Sequence, residues 1–368
     1  MSRGKGAAAA RVERFQKLLK AENVDAAMIK TESSFTYFAG VKWLRPGLII
    51  PAEDEPVAYI PKHEVEAFIE ASGIEKVVPY RGVDELMRGV SGTIREGGYR
   101  KVGFDMSVER DAYELFFHMF KNLNPKTEIV DVHAKIMQLR MIKESEEVAN
   151  IRQAARTTDK GMEAAFNRIG VGASELEIAA EALYAMMKAG SERPLAYVNT
   201  GGVPRLHAEP RSDVRVGNDD VVTITLAGDN NHYYSNETRT HLGRGNAKEK
   251  LKALDTMKGI RNTVEEKMRP GVPLNQIEDG IGETLTAKGY GENYVKGFAH
   301  GVGLLVEEDP ITTILIPERR IVVRENMVLA AIHAPLTIPG IGAIKYEDTF
   351  LISADGTEQL TRYGDHSA

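Results

Sequence analysis

The sequence predicts two domains of different construction, a small α/β unit over residues 1–138 followed by an internally duplicated α+β unit over residues 139–368. Three observations carry that expectation. A chain of 368 residues exceeds what one ordinary hydrophobic core covers. Up to about Val132, short apolar runs alternate with patterns of helical period. Beyond Leu139 the strands come in pairs with helices between them, as a duplicated α+β fold presents them.

Taken in order, Val12, Phe15, Leu18 and Leu19 recur at helical spacing. Strands are expected at Ala26–Ile29 and near Phe35–Phe38, then a hairpin of Gly47–Ile50 with Val57–Ile60, punctuated by Pro51 and Pro61. Helices at His63–Ala71, Asp84–Glu96 and Asp111–Leu123 alternate with strands at Lys76–Pro79, Lys101–Phe104 and Glu128–Val132. A long helical pattern opens in the segment Leu139–Glu147 and continues to about Arg168. The next helix starts at Ser174, because Ser174 and Glu177 have capping-box spacing. The strand pairs are Val221–Leu226 with Tyr233–Leu242, and Ile321–Ile332 with Ala343–Ile352; helices at Ala247–Met268 and Leu274–Lys288 lie between them.

Composition removes several classes of function. The chain has no cysteine, which excludes disulfides, thiolate metal sites, iron–sulfur clusters and a cysteine nucleophile; any metal must be held by His, Asp or Glu. The 47 basic and 53 acidic residues are well mixed and give a net charge of −6, so no basic stripe suggests a nucleic-acid partner. No apolar run approaches the ~20 residues that span a bilayer. The basic start at Met1–Lys5 lacks an apolar signal core, so the expected compartment is the cytoplasm.

Several local strings then fall into one order. His207 closes Thr200–His207; a hairpin carries Tyr234–Thr240; His300-Gly301-Val302-Gly303-Leu304 follows, then Glu308-Asp309-Pro310, then Tyr346-Glu347-Asp348. This order resembles the creatinase/prolidase superfamily across the C-terminal half, and the linker Leu139–Glu147 is similar to the one that follows that family's smaller N-terminal domain. The resemblance implies a small creatinase-type α/β domain followed by a pita-bread domain. It also implies a homodimer, since the family's N-terminal domain helps to shape the neighbouring subunit's pocket.

In peptidases of this family two divalent ions are held by Asp, Asp, His, Glu and Glu. Carried over, the first aspartate falls on Thr225, the second on Asn236, the histidine on His300 and the last glutamate on Glu347. The first glutamate falls on Ile332 or, with a one-residue gap, on His333. Three of the four carboxylates are missing. Mn²⁺, Co²⁺ or Zn²⁺ needs anionic donors, so no dinuclear centre is expected; at most one divalent ion would sit on His300, His333 and Glu347.

The expected chemistry is metal-independent hydrolysis of an amide-type C–N bond in a small polar or zwitterionic substrate, as in creatinase and ectoine hydrolases. His207 is the expected general base, because imidazole titrates near neutral pH. Glu347 is the second catalytic residue, with the alternative that it is a strand carboxylate paired with Lys345 or Arg239. His300, Asn236, Thr225, His333 and Glu308 are the expected substrate-binding residues. Glu237 precedes the creatinase carboxylate by one position, and strand alternation points it to the opposite face. The family's second histidine is replaced by Glu307. The alternative functions are an Xaa-Pro dipeptidase or aminopeptidase with a reduced metal site, and an inactive pita-bread binding module.

Overall fold

The computed structural model describes residues 3–44, 47–107, 109, 112–205, 209–245 and 247–364. The chain forms two compact units, Met1–Arg140 and Met141–Ala368. Among the described residues no helix is long and apolar enough to cross a membrane.

The first unit runs α1 (Arg3–Ala21), β1 (Ala26–Ile29), α2 (Glu32–Ala39), β2 (Leu48–Pro51), β3 (Val57–Pro61), α3 (Val65–Ser72), β4 (Val77–Tyr80), α4 (Val83–Glu96), β5 (Lys101–Phe104), α5 (Ala112–Leu123), β6 (Glu128–Asp131) and α6 (His133–Arg140). Its six strands lie in the order β4-β3-β2-β1-β5-β6. The pairings β3/β4, β1/β5 and β5/β6 are parallel, whereas β1/β2 and β2/β3 are antiparallel. Each parallel pair is separated in the chain by a helix, as parallel pairing requires.

The strand expected near Phe35–Phe38 is instead helix α2. Every residue from Ser33 to Ala39 is buried, so no apolar stripe betrays the helical period and the aromatic, β-prone composition misleads. Polar contacts stabilise the helix where periodicity is silent. The Ser33 amide donates to Glu109, Ser34 and Thr31 hydroxyls donate to Asp105, and Gly40 ends the helix at φ 70° with its amide on Thr36 O.

The second unit runs α7 (Ser145–Arg168), α8 (Glu175–Lys188), β7 (Leu195–Thr200), β8 (Val221–Asn230), β9 (Tyr233–Leu242), α9 (Ala247–Lys267), α10 (Leu274–Lys288), β10 (Ala299–Gly301), β11 (Glu308–Ile311), β12 (Val328–Ala331), β13 (Leu336–Ile338), β14 (Gly342–Ile344), β15 (Asp348–Ser353) and β16 (Gly356–Gln359). It holds sheets ordered β7-β8-β9 and β11-β10-β12-β15-β16, with β13-β14 as a separate ribbon. Two apolar clusters support them. Met162, Ile178, Ala182 and Met186 of α7 and α8 pack on Val222, Ile224 and Leu226, while Met257, Ile260, Ile277 and Leu285 of α9 and α10 pack on Leu329, Ala331, Phe350 and Ile352.

The helix expected to open in Leu139–Glu147 begins at Ser145, where the Glu147 carboxylate folds back onto the Glu144 amide (2.8 Å) and sets the helix start. One expectation is corrected here. The expected pairing of Ile321–Ile332 with Ala343–Ile352 is confined to β12 with β15; the residues before Asp348 turn away to pair as β14 with β13 or to lie along β9.

The Ser174 cap forms in both directions: its hydroxyl accepts the Glu177 amide (3.2 Å) and Glu177 accepts the Ser174 amide (2.7 Å). Ser174→Ala is expected to lower the stability of this unit by about 1 kcal/mol, read as a lower urea midpoint at unchanged slope. An unmoved midpoint would show that the cap contributes nothing.

Candidate functional site

The site is built on the β8–β9 hairpin. Its register sets Thr223 opposite Thr240, Thr225 opposite Thr238 and Ala227 opposite Asn236. Facing residues of an antiparallel pair share a side of the sheet, so Thr223, Thr225, Asn236, Thr238 and Thr240 form one polar face. Glu237 and Arg239 fall on the other face, where Arg239 pairs with Glu237 (2.9 Å) and Asp348 (2.7 Å). Residues 345–347 lie along this hairpin. Thr238 and Glu347 exchange backbone hydrogen bonds (3.1 and 3.2 Å), and the Thr240 hydroxyl accepts from the Lys345 amide and donates to its carbonyl (3.0 and 2.8 Å). Lys345 and Glu347, two apart in extended chain, therefore reach the same side.

The imidazoles arrive from the other sheet. His300 sits in β10 opposite Ala330 of β12, and the His333 amide donates to Phe298 O (2.8 Å), which keeps the chain beyond β12 beside β10. Their rings meet edge-on, with centroids 4.7 Å apart and planes at 88°. Ile332 enters the apolar cluster around Leu329 and Phe350. Of the two residues that could stand at the family's first glutamate, His333 faces Glu347.

Glu347 is the centre of the arrangement. Its Oε2 accepts from the Thr238 hydroxyl (2.7 Å) and lies 2.8 Å from Lys345 Nζ. Its Oε1 lies 3.1 Å from His333 Nδ1 and 3.9 Å from His300 Nε2. An ionised carboxylate only accepts, so His333 Nδ1 carries the proton and its Nε2 keeps a lone pair. By the same logic His300 Nδ1 donates to Gly301 O (2.9 Å), and its Nε2 accepts from Asn236 Nδ2 (3.4 Å). Asn236 Oδ1 is buried with no hydrogen-bond partner among the described residues.

Electrostatics follow from this packing. Burial by itself would raise the Glu347 carboxyl, but the Lys345 ammonium, the His333 hydrogen bond and the two imidazoles outweigh it and hold it well below the usual carboxylate range. Burial first, and then Lys345, lower His333 to about 4, against the opposing pull of Glu347.

The structure thus brings together five of the expected residues: Thr225, Asn236, His300, His333 and Glu347. Glu308 is engaged elsewhere, its carboxylate held 2.8 Å from Lys143 Nζ with both groups buried. His207 lies outside the described residues. Sequence reasoning gave Lys345 no role beyond pairing with Glu347, and treated Glu307 only as a lost histidine. For Lys345 the spacing of two residues from Glu347 on a strand was an available signal. Glu307 joins His300 and His333 in a group whose ligand atoms all lie within 4.8 Å of one another, in place of the expected trio with Glu347.

These donors do not fit two divalent ions. The positions of the two aspartates hold a hydroxyl and an amide, and both oxygens of the one remaining carboxylate are already engaged. The His300, Glu307 and His333 group offers a donor set allowed for one zinc ion. Beside it a small cavity of about 20 Å³, room for about one water, is lined by Tyr197, Asn199, Arg205, Thr225, His333 and Lys345. Arg205 is committed to the buried Glu175 carboxylate at 2.6 and 2.7 Å.

Comparison with known proteins places this geometry in context. Residues 149–354 match metallopeptidase family M24, and residues 11–142 match the creatinase/prolidase N-terminal domain. A Xaa-Pro dipeptidase of Pyrococcus furiosus is 30% identical over 355 residues, covering 96% of this chain and 97% of the relative. One from Pyrococcus horikoshii is 29% identical with the same coverage. The crystal structure of the prolidase from Pyrococcus horikoshii superposes with a TM-score of 0.85 at 27% identity, over 96% of this chain and 98% of that one.

Because the folded His333 value lies below the 6.5 of a free imidazole, the unfolded chain binds more protons between the two values. Its contribution to stability is present above pH 6.5 and lost as pH falls through about 4. An NMR titration of the native protein is expected to place the His333 inflection at about pH 4. An inflection at the free-imidazole value would contradict this account of the site.

Proposed function

We propose, for a chain that belongs to the metallopeptidase M24 family of C–N-bond hydrolases and carries a creatinase/prolidase N-terminal domain before its pita-bread domain, hydrolysis of an amide-type bond in a small, dipeptide-sized substrate without a two-metal centre. The observation that carries this reading is the contact between His333 Nδ1 and Glu347 Oε1 at 3.1 Å. It is the arrangement in which a carboxylate fixes an imidazole tautomer and leaves the far nitrogen as a base.

In this reading a water at His333 Nε2 gives up a proton as it attacks the scissile carbonyl carbon, and Glu347 stabilises the imidazolium that forms. His300, with Asn236 on its Nε2, orients the substrate from the other side of Glu347. His207, by its position in the motif order, is proposed to hand a proton to the leaving amine. The names of the relatives make Xaa-Pro dipeptides the first substrates to try, ahead of creatine- and ectoine-like amides. A second reading, an Xaa-Pro dipeptidase with a single divalent ion, is favoured by the grouping of His300, Glu307 and His333. The proposed assembly is a homodimer, in the cytoplasm.

Chelator-treated protein, assayed on Xaa-Pro dipeptides, creatine and ectoine with and without Mn²⁺, Co²⁺ or Zn²⁺, tests both. The expected result is turnover that survives chelation and falls by about 10²–10⁴-fold in His333→Ala. Glu347→Gln is expected to act similarly, since an amide can present the wrong partner to Nδ1. Activity that appears only with added metal would transfer the conclusion to the single-ion reading. Silence across the panel would point to an inactive binding module, and undiminished turnover in His207→Ala would remove that residue from the mechanism.

A further inference from the structure

The five positions at which the family resemblance expects metal ligands retain one carboxylate, Glu347, and a cation already stands against it. Lys345 Nζ lies 2.8 Å from Glu347 Oε2, with the lysine side chain 3% exposed and the glutamate fully buried. We propose that Lys345 is a built-in cation that takes the place of metal charge at Glu347 and excludes divalent ions from this pocket.

Three further observations support it. First, the carboxylate has no free side: Lys345 and Thr238 occupy Oε2, and His333 occupies Oε1. A bridging carboxylate that holds two ions needs both oxygens. Second, Lys345 faces the same small cavity as Thr225, which stands where the first aspartate ligand is expected. Its Nζ is buried and makes no well-aligned hydrogen bond among the described residues, so its interaction with Glu347 is principally one of charge. Third, the two groups cancel. A dication entering beside them meets no net negative charge from this pair, and it is repelled by an ammonium held in a medium of low effective dielectric. The loss of the aspartates and the presence of Lys345 are thus one coherent change: negative ligands and positive ions leave together, and one lysine neutralises the carboxylate that stays.

The inference does not depend on turnover, because metal uptake is measured without substrate. Purified full-length protein is dialysed against Mn²⁺ or Zn²⁺ and analysed for bound metal per chain. The wild type and Lys345→Arg are expected to hold no stoichiometric ion. Lys345→Met is expected to take up about one ion per chain, with affinity raised about tenfold or more once the repelling charge is gone. One or more ions held tightly by the wild type, or a folded Lys345→Met that takes up no more than the wild type, would overturn the proposal. If Lys345→Met does not fold, the double variant Thr225→Asp/Asn236→Asp is the second test. With Lys345 retained it is expected to stay metal-free, and uptake of two ions per chain would refute the exclusion.

Discussion

A carboxylate with no exposed surface, Glu347, imposes its requirements on everything around it. A buried negative charge survives only if it is paired and hydrogen-bonded; removing one partner of such a pair typically costs about 3–5 kcal/mol. Here the compensation comes from one ammonium, one hydroxyl and one imidazole. Each is supplied by backbone whose position the sheets determine, so the charge and the fold depend on each other. The threonines of β8 and β9 carry much of that work. Thr238 binds the carboxylate itself, Thr240 clamps the backbone of Lys345, and Thr223 donates to Ala343 O at 2.5 Å.

The two faces of the hairpin carry separate clusters of charge. On one, Arg239 joins Glu237 and Asp348, and Arg261 reaches Asp348 at 3.2 Å. Burial raises both Glu237 and Asp348 although Arg239 opposes it. On the other face, the carboxylate meets imidazoles that retain lone pairs, beside a small cavity. Similar residue types thus form separate clusters on the two sides, and the alternation along the strand decides which side each takes. The same alternation separates Glu237 from Asn236 and gives their neighbouring positions unrelated roles.

The proposed reading is of a site that changes its chemistry without changing its frame. Peptidases of the superfamily are expected to concentrate negative charge and neutralise it with ions. In this chain Glu347 is met by side chains of the chain itself, Lys345 and His333. His333 is held neutral by burial and by Lys345 and is oriented by Glu347, so it presents an unprotonated nitrogen at neutral pH.

Local rules were enough to read much of this molecule from the chain. Capping-box spacing located the start of α8, periodicity located α4, α9 and α10, and the order of short strings identified the family and the polar positions Thr225, Asn236, His300 and Glu347. The absence of carboxylates at two of those positions was legible because residue identity alone states it. Where burial is complete, local rules fail: α2 shows no stripe because all its sides are covered, and the strand expected before β15 divides because its residues pair with different partners. The choice between Ile332 and His333 turns on which side chain the chain beyond β12 directs into the apolar cluster, and the pairing of Glu307 with His333 and of Glu308 with Lys143 turns on neighbours far apart in sequence. The sequence by itself determined which chemical groups were available and their family frame. Only the tertiary structure decided which of them meet, because charges interact through space at a few ångströms, and that proximity is set by packing between segments rather than by order along the chain.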